Sequence, residues 1–86
     1  MFIGEAKDYH TTIEQCFLLD EEYIKAHPLA EKGIAVCVDQ MCEEISGIGK
    51  SVLYSIYDEN KFVGMFGIEE KMNINPFFIS PEYRKK

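Results

Sequence analysis

Apolar side chains recur at a helical spacing in the first half of the chain. The clearer stripe consists of five residues three or four positions apart: Ile34, Cys37, Val38, Met41 and Ile45. This period places side chains on one face of an α-helix. Gly47 and Gly49 follow, and glycine is the usual residue at the end of a helix. We therefore predict an amphipathic helix that packs this stripe against a sheet.

An earlier helix is predicted from a weaker pattern of residues at helical spacing: Ile13, Cys16, Phe17 and Asp20, then Tyr23 and Ile24. Asp8 and Thr11 are both candidate N-caps, because short polar side chains accept from the free N–H groups of a first turn. His27 should end this helix, since a proline restricts the residue before it. Pro28 suits the first turn of the second helix, where its missing N–H costs nothing.

The second half of the chain has the composition and turn signals of β-strands. Residues 51–57 and 62–68 are β-rich runs on either side of a turn-forming cluster at 58–61, which predicts a β-hairpin. A further run at 72–79 contains Pro76, whose missing donor implies a bulge or an unpaired side. Residues 2–6 form a short apolar stretch that predicts a first strand.

These elements predict an α+β fold in a single small domain over residues 1–86. The expected architecture is an antiparallel sheet of about four strands with two helices, in the order β-α-α-β-β-β. Both faces of the first hairpin strand are apolar, as expected for a sheet that is covered on both sides.

Composition and charge narrow the classes of function. The net charge of −6 excludes binding to nucleic acid or to an anionic membrane by bulk electrostatics, whereas it suits a basic partner or an amine substrate. No apolar run is long enough to span a bilayer, and the first residues lack the pattern of a signal peptide. The three cysteines have no metal-site or disulfide spacing. We therefore expect a cytoplasmic protein.

The most specific pattern lies at residues 75–86. Phe77-Phe78-Ile79 predicts the end of a strand, Ser80-Pro81 ends it, and Glu82-Tyr83-Arg84 begins a turn. This segment resembles the core signature of the GNAT superfamily of acetyl-CoA-dependent N-acetyltransferases, where a Pro-Glu-Tyr-Arg-like turn leads into a glycine-rich loop and a helix. The predicted element order is also that of the N-terminal half of a GNAT domain.

The resemblance implies a site for acetyl-CoA. The backbone around Phe78 and Ile79 would pair with the pantetheine arm, and an N–H there would polarise the thioester carbonyl. Arg84, Lys85 and Lys86 match the first three positions of the loop whose N–H groups hold the pyrophosphate. The first glycine of that loop would follow Lys86.

The resemblance also indicates where the acceptor amine would bind. Residues 25–31, between the two helices, would help to set its specificity. Glu69 and Glu70 are the acids in range of the fourth strand and are therefore the candidate general bases. Their alternative role is that of a polar hairpin turn.

We expect these 86 residues to be a fragment or truncated homologue that is inactive by itself and binds acetyl-CoA weakly or not at all. The alternative is a non-enzymatic interaction or inhibitor module, for example phage-type, on a truncated GNAT-like scaffold. An unrelated α+β domain is a third hypothesis. The codons after Lys86 discriminate between the first two. We also expect a homodimer or a protein partner at the edge of the 72–79 strand.

Overall fold

A computed structural model describes residues 1–47, 51–70 and 73–84. The elements in chain order are β1 (Phe2–Glu5), α1 (Tyr9–Leu19), α2 (Glu21–Lys25), α3 (Ile34–Gly47), β2 (Val52–Asp58), β3 (Lys61–Ile68) and β4 (Ile74–Ile79). Short 3-10 turns occupy Ala30–Lys32 and Pro81–Tyr83. The strands form a four-stranded antiparallel sheet in the order β1-β2-β3-β4. The predicted α+β fold and its element order are confirmed.

The first predicted helix is divided at Asp20. Asp8 is its N-cap, with a carboxylate that accepts from the Thr11 N–H at 3.2 Å and from the Thr11 hydroxyl at 2.9 Å. Asp20 has an extended backbone, and its N–H donates to the Cys16 carbonyl and so closes α1. Its carboxylate accepts from the Glu22 N–H at 3.0 Å and so opens α2. One residue therefore ends one helix and begins the next.

The stripe predicted for α3 faces the core. Its residues Cys37, Val38, Met41 and Ile45 are buried against α1 and the sheet. The prediction that Pro28 begins this helix is wrong, because the chain forms a turn and a 3-10 segment before α3 starts at Ile34. The helix includes Gly47, whereas Gly49 lies outside the described residues.

Strand β4 pairs with β3 through a bulge at Asn75 and Pro76. The register pairs Phe66 with Phe77 and then Ile68 with Ile74, so that two residues of β4 lie opposite Gly67. A Cβ on Gly67 would lie 2.7 Å from the Asn75 carbonyl oxygen, which leaves room only for glycine. The irregularity predicted from Pro76 is confirmed, and the neighbouring strand accommodates it with a glycine.

The two faces of the sheet differ in what covers them. Met65 and Phe78 are buried beneath the helices in one core cluster. On the opposite face, Tyr54 stacks on Phe66 with ring centroids 5.2 Å apart. No helix among the described residues is long and apolar enough to cross a membrane.

Candidate functional site

The outer edge of β4 carries backbone groups that the sheet does not use. Ser80 donates its N–H to the Val63 carbonyl at 2.7 Å. The same register pairs Met65 with Phe78 and Gly64 with Ile79. Because hydrogen-bonded and non-hydrogen-bonded pairs alternate along an antiparallel ladder, Phe78 bonds to β3, whereas the N–H and C=O groups of Ile79 point away from it.

Phe77 has the same outward backbone direction as Ile79, since the two are separated by one residue. The side chain of Phe77 is 57% exposed, whereas that of Phe78 is 2% exposed. Phe78 packs on Tyr23 with ring centroids 4.7 Å apart, which fixes the strand against α2. The edge therefore presents two outward amides, at Phe77 and Ile79, on a strand held firmly from the helix side.

Arg84 ties the turn after β4 to the helix layer. Its Nε donates to the Ile79 carbonyl at 2.7 Å, and its terminal nitrogen lies 2.8 Å from the Asp20 carboxylate. The guanidinium also lies over the Phe78 ring at 5.3 Å. The Asp20 side chain is only 9% exposed, so this ion pair is shielded on one side. Arg84 thus occupies the outward carbonyl of Ile79 and leaves its N–H available.

A second set of contacts holds the turn against the β2–β3 hairpin. The Tyr83 hydroxyl donates to the Asp58 carboxylate at 2.7 Å, and Lys61 pairs with Glu82. The hydrogen bond to Asp58 is the main cause that raises the pKa of Tyr83 to about 12. The Pro-Glu-Tyr-Arg turn is therefore anchored through three consecutive side chains, Glu82 to Arg84.

A cavity of about 490 Å³ lies between α2, α3 and the start of β4. Its lining consists of Phe17, Tyr23, Ala26, His27, Pro28, Met41, Glu44, Ile45, Ser51, Glu69, Asn75, Pro76 and Phe77. Glu69 is half-buried in this lining, whereas Glu70 is exposed and lies outside it. The segment predicted to shape acceptor specificity, residues 25–31, contributes Ala26, His27 and Pro28.

Hydrogen bonds fix two of the polar groups at this cavity. His27 accepts the Leu29 N–H on Nδ1 at 3.0 Å, so a neutral ring carries its proton on Nε2. Glu44 accepts from the Gln40 side-chain amide at 3.2 Å. No cation or N–H donor among the described residues pairs with the Glu69 carboxylate. Glu69 is therefore available to a ligand.

The cysteines lie away from this chemistry. Cys16, Cys37 and Cys42 are free, and the first two are fully buried. Burial raises the pKa of the Cys16 thiol far above its ordinary value, and burial followed by the charge of Asp39 raises the pKa of Cys42. Neither environment favours a thiolate nucleophile.

The structure brings together most of the residues that the sequence singled out. Phe78, Ile79 and Arg84 contact one another at the β4 edge. Glu69 lines the adjacent cavity, to which the Asn75–Phe77 segment also contributes. Lys85 and Lys86 lie outside the described residues, as does Met72 of the predicted edge.

Sequence reasoning misses three residues of the site. It assigns Phe77 no amide role, because the direction of that N–H depends on the register with β3. It does not single out Glu44, which lines the cavity from α3. Asp20, the partner of Arg84, could not be found from local sequence, since the two residues are far apart in the chain.

A family model described as an acetyltransferase (GNAT) domain matches residues 21–86, well over half of the chain. No curated protein and no solved structure matches it. The matched range includes α2, α3, the β2–β4 sheet and the anchored turn at Pro81–Tyr83. The chain therefore belongs to the GNAT acetyltransferase family.

Proposed function

We propose that this chain supplies the acetyl-arm strand and the acceptor cavity of an acetyl-CoA-dependent N-acetyltransferase. The observation that carries the proposal is the adjacency of two features: the outward amides of β4 and the cavity that contains Glu69. A strand edge pairs with an extended amide-containing ligand as it would with another strand. The pantetheine arm has that form.

The reaction would place two demands on these residues. An outward N–H, at Ile79 or Phe77, would donate to the thioester oxygen as negative charge develops there. Glu69 would accept a proton from the acceptor ammonium, directly or through water. The neutral amine nitrogen would then bond to the carbonyl carbon and lose a second proton, the carbon–sulfur bond would break, and the departing thiolate would take up a proton.

We further propose that a polypeptide of residues 1–86 binds acetyl-CoA weakly and does not turn it over. These residues include Arg84, Lys85 and Lys86 but not the glycines of a pyrophosphate loop. Each missing charge-assisted hydrogen bond is worth about 1.5–3 kcal/mol. We place the protein in the cytoplasm, since its free cysteines fit a reducing compartment.

Binding of the pantetheine arm to β4 and binding of the pyrophosphate can be tested separately on the 86-residue chain. S-acetylpantetheine, which lacks the nucleotide, is titrated into ¹⁵N-labelled protein beside acetyl-CoA. We expect both ligands to bind with similar Kd values of about 1 mM and to shift the Phe77 and Ile79 amides most. Adenosine 3′,5′-bisphosphate is the matched control and should leave these amides unchanged.

Two results would overturn these proposals. A micromolar Kd for acetyl-CoA would show that the 86 residues already hold the pyrophosphate. Shifts from S-acetylpantetheine that avoid the β4 edge, or no shifts at all, would remove the strand from the acetyl-arm role.

A non-enzymatic interaction module is the second candidate function. The observation that favours it is the exposed β4 edge beside exposed apolar side chains, Ile74 at 63% and Phe77 at 57%. Unpaired strand edges are templates for pairing with another chain, and apolar patches mark interaction surfaces. The partner would be a second copy or another protein that adds a strand to β4.

A further inference from the structure

We infer that the cavity between α2, α3 and the start of β4 selects a small primary amine carried on an apolar body the size of an aromatic ring. The inference rests on the proposed function, because it names the acceptor class for that reaction. The cavity walls and the carboxylate positions carry it.

The size of the cavity favours a small molecule. Its volume of about 490 Å³ lies within the roughly 300–1,000 Å³ range of small-molecule pockets. Its floor is fixed, because Met41 and Ile45 belong to the buried stripe of α3 and Phe17 belongs to the core cluster. The site is therefore built from rigid elements on two sides.

The wall chemistry favours an apolar body. Most of the lining residues have apolar or aromatic side chains, among them Phe17, Tyr23, Met41 and Ile45 of the helices. Phe17 packs on Tyr23 with centroids 5.3 Å apart, and on the His27 ring edge-on at 6.3 Å. This aromatic group offers both faces and edges to a ligand ring.

The charge at the cavity favours a cationic head. Glu69 and Glu44 both belong to the lining, and no lysine or arginine in the described part of the chain does. Glu44 accepts from the neutral Gln40 amide, and Glu69 has no partner there, so no cation in the described part of the chain pairs with either carboxylate. Glu69 is the more buried of the two and is assigned as the main contact of the amine.

The orientation of the ligand follows from the position of Glu69. Glu69 lies directly after β3, and its N–H donates to the Asn73 carbonyl at 2.9 Å just before β4 begins. The Asn75–Phe77 segment of β4 lines the same cavity. An amine bound at Glu69 is thus on the β4 side, with the apolar body between α2 and α3.

Binding of the acceptor is measured without acetyl-CoA, on the 86-residue chain, with 2-phenylethylamine as the probe. We expect saturable shifts at Ala26 and Ile45 by NMR. Two control ligands each lack one feature of the probe. 2-Phenylethanol has the aromatic ring but no charge, and ethanolamine has the ammonium charge but no ring. Both should bind more weakly than the probe.

Three variants test the residues. Glu69→Gln should weaken binding of 2-phenylethylamine by about fivefold and leave 2-phenylethanol unchanged. Glu70→Gln makes the same change in net charge outside the cavity and should have little effect. Ala26→Trp should fill the cavity and abolish binding of all three ligands, because Ala26 is an exposed αR residue that tolerates a larger side chain.

The outcomes separate this inference from the proposed function. Equal binding of the amine and the alcohol, equal effects of the Glu69 and Glu70 variants, or retained binding in Ala26→Trp would overturn the inference. The S-acetylpantetheine titration is read at the Phe77 and Ile79 amides, and the amine titration at Ala26 and Ile45. Success of the first beside failure of the second would reject the acceptor class and keep β4 as the strand that binds the acetyl arm. Binding of the amine without binding of S-acetylpantetheine at β4 would keep the amine-binding cavity and reject the proposed acetyltransferase function.

Discussion

Arg84 contributes at the residue scale through several contacts at once. It donates to the Ile79 carbonyl, pairs with the nearly buried Asp20 carboxylate and covers the Phe78 ring. A guanidinium suits this place, because its planar fork donates in two directions while its face stacks on an aromatic ring. The pair joins the α1–α2 junction to the turn after β4.

We expect Arg84→Ala to lower the free energy of unfolding by about 1–2 kcal/mol, because it removes the cation from a shielded carboxylate. Lys61→Ala is the matched control. Its pair with Glu82 is about half exposed on both sides and should be worth less than about 1 kcal/mol. Urea denaturation of both variants checks the difference.

A double-mutant cycle with Asp20→Asn isolates the pair, since Asn retains the helix cap and removes the charge. We expect the two substitutions to be strongly non-additive. Additive effects, or equal losses for Arg84→Ala and Lys61→Ala, would contradict a structural role for the Arg84 pair.

Local sequence could predict the residues of this turn but not their partners. The pattern at residues 79–84 indicates the end of a strand, and the strand does end at Ile79. The contact between Arg84 and Asp20 depends on tertiary packing, which no local pattern encodes. The same holds for Tyr83 and Asp58, whose hydrogen bond requires the β2–β3 turn to lie beside the 3-10 turn.

At the element scale, Gly64 of β3 leaves no room for a side chain beside β4. A Cβ on this residue would lie 2.5 Å from the Phe78 carbonyl oxygen and 3.0 Å from the Ile79 side chain. Backbone cannot yield as a flexible side chain does, so the glycine is required for β4 to pair in this register. The outward direction of the Ile79 amide follows from that register.

We expect Gly64→Ala to destabilise the fold by about 1–3 kcal/mol, because the added methyl overpacks the β3–β4 ladder. Gly47→Ala is the control, since a methyl added there would have no neighbour within 4 Å and the residue sits at the end of α3. That change should be neutral or stabilising by up to about 1 kcal/mol. Thermal and urea unfolding measure both changes.

Hydrogen exchange of the β4 amides shows whether the Gly64→Ala substitution disturbs the pairing of β4 with β3. In Gly64→Ala, the Phe78 N–H should lose protection from hydrogen exchange while α3 amides keep theirs. Unchanged protection at Phe78 with unchanged stability would contradict the close approach.

The sequence predicts an element correctly where a single local rule, such as apolar periodicity or the missing donor of proline, determines the structure. The α3 stripe, the β2–β3 hairpin and the irregularity at Pro76 each follow from a single local rule, and each is confirmed. The break at Asp20 is missed, because the apolar stripe continues through it as if the helix were unbroken. The late start of α3 is missed because Pro28 permits a helix start without requiring one.

At the scale of the whole molecule, the helices cover one face of the sheet. The other face carries Tyr54 stacked on Phe66, and the exposed Phe77 lies opposite Phe66 in register. The β4 edge adjoins this face and has the unused amides of Phe77 and Ile79. Edge strands are usually protected by charged side chains, and residues 74–79 contain none.

We therefore expect the 86-residue chain to self-associate at micromolar concentration, with a second copy paired along β4. Sedimentation velocity measures the association. Phe77→Lys should shift the equilibrium toward monomer, because it places a charge on the edge strand beside the apolar face. Leu18→Lys is the matched control, since Leu18 is 68% exposed and belongs to α1 rather than to the sheet.

Hydrogen exchange identifies the surface that is buried in such a dimer. If β4 pairs with its copy, the amides of Phe77 and Ile79 become protected as concentration rises, whereas in a dimer through the face alone they stay exchangeable. The same amides are proposed to bind the pantetheine arm, so S-acetylpantetheine should compete with edge pairing and increase the monomer fraction. If the chain is a monomer at all concentrations and both amides exchange freely, the β4 edge is not a surface for self-association. Its proposed role in binding the pantetheine arm would then remain.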